Sequence, residues 1–243
     1  MKATNTTYNF ENSLDRIDEI LNSSNICEIK DSIPFRDSLT FTNGFYVNCA
    51  AIFVDICGSS ELTDVHTRLV LAKIYRSFIS ELVALFNGEE TCKEVSINGD
   101  CVWGIFDMNI TSQANLIVDI AAKASSLIDI LNKKLQQKGY QTIEVGIGAD
   151  YGRALMAKAG YKGSSINDVI WMGDVVNSAC HLCGFGNQSM SDCRVMISRT
   201  IYNNCCTDYK KLFQWNFNRN CYHGNINNIA MNNWLQKNLQ FLN

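Results

Sequence analysis

The most regular apolar stretch runs from Val47 to Ile56 and reads Val-Asn-Cys-Ala-Ala-Ile-Phe-Val-Asp-Ile. It is continuous rather than alternating, which predicts a buried strand covered on both faces. Ahead of it, Leu14, Ile17, Ile20 and Leu21 recur at helical spacing and predict a helix over 10–22, suited to packing or a dimer contact. Residues 28–44 are polar and irregular and hold the single proline, Pro34. After the strand, Thr63 or Asp64 is placed to cap a helix over 65–87. Val95-Ser96-Ile97 and Cys101 to Phe106 flank Asn98-Gly99, the strongest short hairpin signal a sequence offers. A second long helix is expected over 112–138, with Leu116, Ile120, Ala124, Leu127 and Leu131 on one stripe and Gly139 as its stop.

Two more strands, Thr142 to Asp150 and Ala154 to Ala159, are expected around Tyr151-Gly152-Arg153. A loop from Gly160 to Asp168, a short strand Val169 to Met172, a helix starting at Gly173-Asp174 and a late strand Arg194 to Ile197 follow. Residues 203–243 are Asn-rich, but Phe213, Trp215 and Trp234 point to folded structure. The order predicts an α+β fold: a mostly antiparallel sheet with long helices on one face. With 243 residues and no repeat, linker or charge run, a single domain is the simplest organisation.

A net charge of −3 gives no general pull towards nucleic acid or anionic membrane, so a polyphosphate ligand must be held by local features. The chain carries 11 cysteines. Its start lacks an apolar signal core, and no segment approaches the roughly 18 apolar residues of a membrane span. The expectation is a cytoplasmic, reduced protein that uses cysteine as a small core hydrophobe. Cys180-His181-Leu182-Cys183 is a C-x-x-C without a second pair, and reads as two thiols on one helix face rather than a zinc site.

Two carboxylates carry the candidate chemistry. Asp55 closes the apolar strand, and Asp100 lies at the predicted hairpin turn. Both are placed at the mouth of a sheet, where a pair of divalent cations would be shared between them and substrate phosphates. The backbone carbonyl of Ile56 is a further candidate ligand. Gly58-Ser59-Ser60 offers backbone N–H groups at a turn leading into a helix, suited to phosphate.

These residues form an ordered set. Phe53-Val54-Asp55-Ile56-x-Gly58-Ser59-Ser60 resembles the F-x-D-I-x-G-S/F-T segment of class III nucleotidyl cyclases. Asn98-Gly99-Asp100 resembles their second metal motif. Gly146 to Arg153 is similar to their G-I-x-x-G-x-x-x-G strand pair, and Gly173-Asp174-Val175-Val176-Asn177-Ser178-Ala179 to their G-D-x-V-N-x-A helix. The motif-bearing core spans roughly 45–185, leaving 186–243 as a C-terminal extension of one cyclase domain. The resemblance implies a ferredoxin-like core working as a head-to-tail homodimer with two Mn²⁺ or Mg²⁺ ions. The ribose 3′-oxygen attacks the α-phosphate, releasing pyrophosphate and a 3′,5′-cyclic nucleotide. It implies metal ligation by Asp55, the Ile56 carbonyl and Asp100, phosphate contact by Arg153, and ribose orientation by Asn177.

Departures from the family bear on the base. The position of the adenine-reading lysine is Ser96, and the acceptor three residues before Gly173 is Ile170. An apolar side chain leaves the adenine amine unpaired, which disfavours purines. The segment Ile33-Pro34-x-Arg36-Asp37-x-Leu39 to Asn48 resembles the one before the first metal strand in bacterial Pycsar cyclases. That resemblance implies UTP or CTP as substrate, cyclic UMP or cyclic CMP as product, and a separate effector protein activated in anti-phage defence. Tyr46 then lies against the pyrimidine, with Ser96 or Asn48 at its edge, or is an ordinary core aromatic. His181 stands where many members carry a transition-state arginine. It is a weak catalytic candidate, or a helix histidine, and Lys158 or Lys162 are alternative sources of charge. A degenerate nucleotide-binding module is the rival reading.

Overall fold

The computed structural model describes residues 2–239. Its contacts divide the chain into two compact units: residues 2–48 with 153–173, and residues 49–152 with 174–239.

The first unit starts with helix α1, Phe10–Asn22, capped by the Asn9 side chain accepting from the Asn12 N–H at 2.9 Å. Strand β1, Ile26–Lys30, pairs in parallel with the start of β2, Asn43–Ile56, from Ile26 opposite Asn43 to Lys30 opposite Val47. The second half of β5, Val145–Gly160, pairs antiparallel with β6, Asn167–Met172. The irregular segment expected over 28–44 therefore contains part of a strand. Its residues are polar or exposed on both faces, so no alternation marked it.

The second unit holds the long helices and most of the sheet. Helices α2, Ser59–Val65, and α3, Arg68–Asn87, replace the single helix expected over 65–87. The chain leaves helical geometry at His66 and Thr67, and Gly58 supplies the left-handed turn (φ +62) that starts α2 earlier. Strands β3, Cys92–Asn98, and β4, Cys101–Phe106, form the hairpin. Asn98 pairs with Cys101, so the two-residue turn is Gly99-Asp100, one residue beyond the expected Asn98-Gly99. Gly99 takes the positive φ of +64 there. Helix α4 spans Ile110–Gln137.

Strand β5 is continuous through Tyr151-Gly152-Arg153, where a turn was expected; the hairpin lies at the loop into β6 instead. Helix α5, Asp174–Phe185, and strand β7, Val195–Ile197, follow. Beyond them come α6, Arg199–Asn204, α7, Thr207–Lys210, β8, Gln214–Asn216, β9, Cys221–Gly224, and α8, Ile229–Leu239. The strand order is β3-β4-β2-β5-β7-β9-β8.

The core lies on one face of this sheet. Ala50, Ile52, Val54 and Ile56 of β2, with Val102 and Phe106 of β4, pack against Ile74, Phe78, Leu82 and Phe86 of α3 and against α4. The α3 residues fall four apart, the spacing of one helix stripe. Phe86 meets Phe106 edge-on at 5.5 Å. Val145, Ile147 and Ala149 of β5 join the same core. The alternate positions, Gly146 and Gly148, face α5. A Cβ on Gly148 would lie 2.1 Å from the Cys183 nitrogen and 2.2 Å from the Ala179 carbonyl oxygen. The glycines let α5 approach the sheet backbone on the face opposite α3 and α4.

Candidate active site

Strand alternation decides which residues share the α5 face. On β2 these are Cys49, Ala51, Phe53 and Asp55, the set alternating with the core residues. Asp55 pairs with Cys101 and Phe53 with Trp103 on β4, while Asn98 and Ser96 of β3 pair with the same two residues. Two rows therefore cross the sheet: Asp55, Cys101 and Asn98 at its mouth, then Phe53, Trp103 and Ser96 one row inside. Asp100 occupies the turn beside the first row.

Asp55 and Asp100 interact. Burial, then the charge of Asp100, pushes the half-buried Asp55 carboxyl above its ordinary value, and a hydrogen bond from the Ile56 N–H offsets part of this. A carboxylate whose ionisation is disfavoured by burial and by a second carboxylate marks a site that a cation relieves. The surrounding thiols reinforce it. Cys101 is pushed up to about 12 by burial, then by the charges of Asp55, Cys180 and Asp100. Cys183 rises well above the ordinary thiol value, and Cys180 is raised by burial and Asp55. The carboxylate and carbonyl oxygens of Asp55, Asp100 and Ile56 are hard donors, which suit Mg²⁺ or Mn²⁺. Among the described residues no group of three or more His, Cys, Asp or Glu is arranged around one metal position. Asp55, Asp100 and the Ile56 carbonyl fit an ion whose remaining ligands come from substrate and water.

The coupling of Asp55 to Cys180 also locates α5. Val175, Ala179, Leu182 and Cys183 form its buried stripe, and Asn177 and His181 are exposed one turn apart. Both stand on the helix that borders Asp55. Gly58 and Ser59 start α2, a helix of seven residues, with the Glu61 carboxyl group about 4 Å from where a Gly58 Cβ would stand.

The remaining expected residues lie in the first unit. The Arg153 guanidinium sits 5.2 Å from the centre of the Tyr46 ring, so one face of that ring carries a cation. Ile170 of β6 pairs with Ala157 of β5 and is half-buried. Lys158 lies 5.3 Å from the Phe41 ring, and Lys162 is paired with Glu19 at 2.6 Å. Trp103 and Cys101 were not singled out in the sequence, although the hairpin register puts them directly opposite Phe53 and Asp55. All 11 cysteines are free, with Cys180 exposed and Cys183 buried.

Residues 43–223 match the adenylate and guanylate cyclase catalytic domain. This chain belongs to that family. It is 40% identical over 257 aligned residues to a uridylate cyclase of Gulbenkiania mobilis, covering 98% of this chain and 100% of the relative. A uridylate cyclase of Treponema porcinum is 35% identical, with 95% of this chain and 82% of the relative covered. Among solved structures, a class III adenylyl cyclase-like ATP-binding protein from Pseudomonas aeruginosa superposes with a TM-score of 0.70 at 18% identity, over 92% of this chain and 48% of that one. An adenylyl cyclase from P. aeruginosa gives a TM-score of 0.58 at 18% identity, over 70% of this chain and 84% of that one. The cyclase fold, α+β with a mostly antiparallel sheet, is thus shared at low sequence identity. No helix among the described residues is long and apolar enough to cross a membrane.

Proposed function

We propose that this chain is a pyrimidine nucleotide cyclase that converts UTP to 3′,5′-cyclic UMP and pyrophosphate. The observation carrying this reading is near-full-length similarity to two uridylate cyclases. The Asp55–Asp100 pair at the sheet mouth supports it. A bond forms between the ribose 3′-oxygen and the α-phosphorus, the α–β phosphoanhydride bond breaks, and the 3′-proton leaves. Asp55, the Ile56 carbonyl and Asp100 would hold two Mn²⁺ or Mg²⁺ ions. Bound there, such ions acidify the 3′-hydroxyl and offset charge on the leaving pyrophosphate. Asn177 orients the ribose, Arg153, Gly58 and Ser59 contact phosphates, and Tyr46, Ser96 and Ile170 shape the base site. The whole chain acts as one cyclase domain in a head-to-tail homodimer in the cytoplasm, and its product activates a separate effector in anti-phage defence.

CTP is the alternative substrate, because Ser96 both donates and accepts and so distinguishes uracil from cytosine poorly. A nucleotide-binding module without turnover is favoured by one feature, His181 in place of the family's arginine. Purified protein incubated with Mn²⁺ and each ribonucleoside triphosphate, with products read by mass spectrometry, separates these readings. Cyclic UMP as main product is expected. A cyclic purine as main product refutes the pyrimidine reading, and no cyclic product refutes the enzyme. Asp55→Ala and Asp100→Ala are each expected to abolish turnover while circular dichroism stays unchanged; substantial turnover in both refutes the two-metal assignment.

A further inference from the structure

Trp103 is a polar group on the catalytic face with no assigned role. Its indole Nε1–H is buried without an acceptor among the described residues. Its ring stacks on Phe53 with centroids 4.9 Å apart and planes within 1°. Phe53 is 5% exposed, whereas Trp103 is only half-buried. Phe53 thus covers one face of the Trp103 ring, and Trp103 as a residue stays partly exposed. Across the ladder Trp103 also faces Ser96, so an N–H donor and a hydroxyl stand side by side, one row inside Asp55.

An indole N–H donates and never accepts. Left unpaired when buried, it disfavours the free state and rewards any ligand that brings an acceptor. We propose that Trp103 is the base-reading donor and that its indole N–H pairs with the 4-carbonyl of uracil. Because the N–H is buried, the ring must turn for it to reach that carbonyl. Cytosine places an amino group at the same position, so two donors would meet and the N–H would stay unpaired. Trp103 thus chooses between the two pyrimidines where Ser96 does not. The inference rests on the pyrimidine cyclase reading and names its specificity residue. Trp171 also carries a buried, unpartnered indole N–H, but it is 6% exposed and its ladder partner is Met156.

The test is Trp103→Phe, which keeps a ring against Phe53 and removes only the donor. The readouts are the ratio of kcat/KM for UTP over CTP and, by calorimetry, the affinity ratio of the α,β-methylene analogues of UTP and CTP. The wild type is expected to favour uracil by about 10- to 100-fold, the range of one unpaired buried group. The variant is expected to bring both ratios close to one, mainly by losing UTP. An unchanged ratio overturns the inference, whatever happens to the rate. If the variant does not fold, the wild type decides the matter with the triphosphate of 2-pyrimidinone riboside, which lacks the 4-carbonyl. Undiminished binding overturns the inference, and a loss of about 10-fold or more relative to UTP that persists in Ser96→Ala supports Trp103. A wild type that forms no cyclic product defeats the cyclase reading alone, because the affinity ratios still report on Trp103.

Discussion

Gly148 offers the sharpest test of how the fold positions the candidate site. Adding a methyl group there sets a carbon 2.1 Å from the Cys183 nitrogen and 2.2 Å from the Ala179 carbonyl oxygen. Both are backbone atoms of α5, so no side chain can rotate away. Ordinary contact begins near 3.4 Å, so α5 must retreat by more than about 1 Å. Overpacking of this kind costs about 1–3 kcal/mol. The same movement shifts Asn177 and His181 relative to Asp55, and a 1 Å misplacement costs on the order of 100-fold in rate. Gly148→Ala is therefore expected to lower the urea midpoint and to reduce cyclic nucleotide formation by about two orders of magnitude. Gly184→Ala on the same helix is the control. No atom lies within 4 Å of its Cβ position, and there the change is expected to be neutral or to stabilise by up to about 1 kcal/mol. If Gly148→Ala keeps wild-type stability and turnover, the close helix–sheet approach does not position the site.

The charge state of Asp55 sets a pH dependence. Because its carboxyl is raised, the folded chain binds more protons than the unfolded one between the ordinary Asp value and the raised value. Stability of the metal-free protein should fall as pH climbs through that window, and Asp55→Asn should flatten the slope; an unchanged slope in denaturation midpoints refutes the coupling. Asp192 has the opposite sign. Burial alone would raise it, but hydrogen bonds from Arg219, Ser189 and Asn216, with the Arg219 charge, hold it at about 2. Its contribution is complete above the ordinary value of 3.8 and is lost as pH falls towards about 2. Its side chain is 1% exposed, so Asp192→Asn should cost about 2–3 kcal/mol at pH 7 by denaturant unfolding, and a cost below about 0.5 kcal/mol contradicts the buried network.

Much of the local structure follows from the chain alone. The Val47–Ile56 strand, α1, α4 and the Gly99 turn are each written in periodicity or in a residue that tolerates positive φ. Asp55 and Asp100 were legible for the same reason, since one ends an apolar run and the other sits at a turn. The sequence misled where a local signal has two meanings. Tyr151-Gly152-Arg153 looks like a turn, yet Gly146 and Gly148 in the same run are there for helix packing, so β5 continues. The strand Ile26–Lys30 carries no alternating pattern, because its exposed edge buries nothing. The site beyond the two carboxylates was decided by tertiary structure. Which thiols surround Asp55, which helix borders it, and which ring stacks on Phe53 depend on ladder register and on the closeness of α5. A sequence states the period of a strand, but its register against a neighbour is fixed only when both faces find their partners.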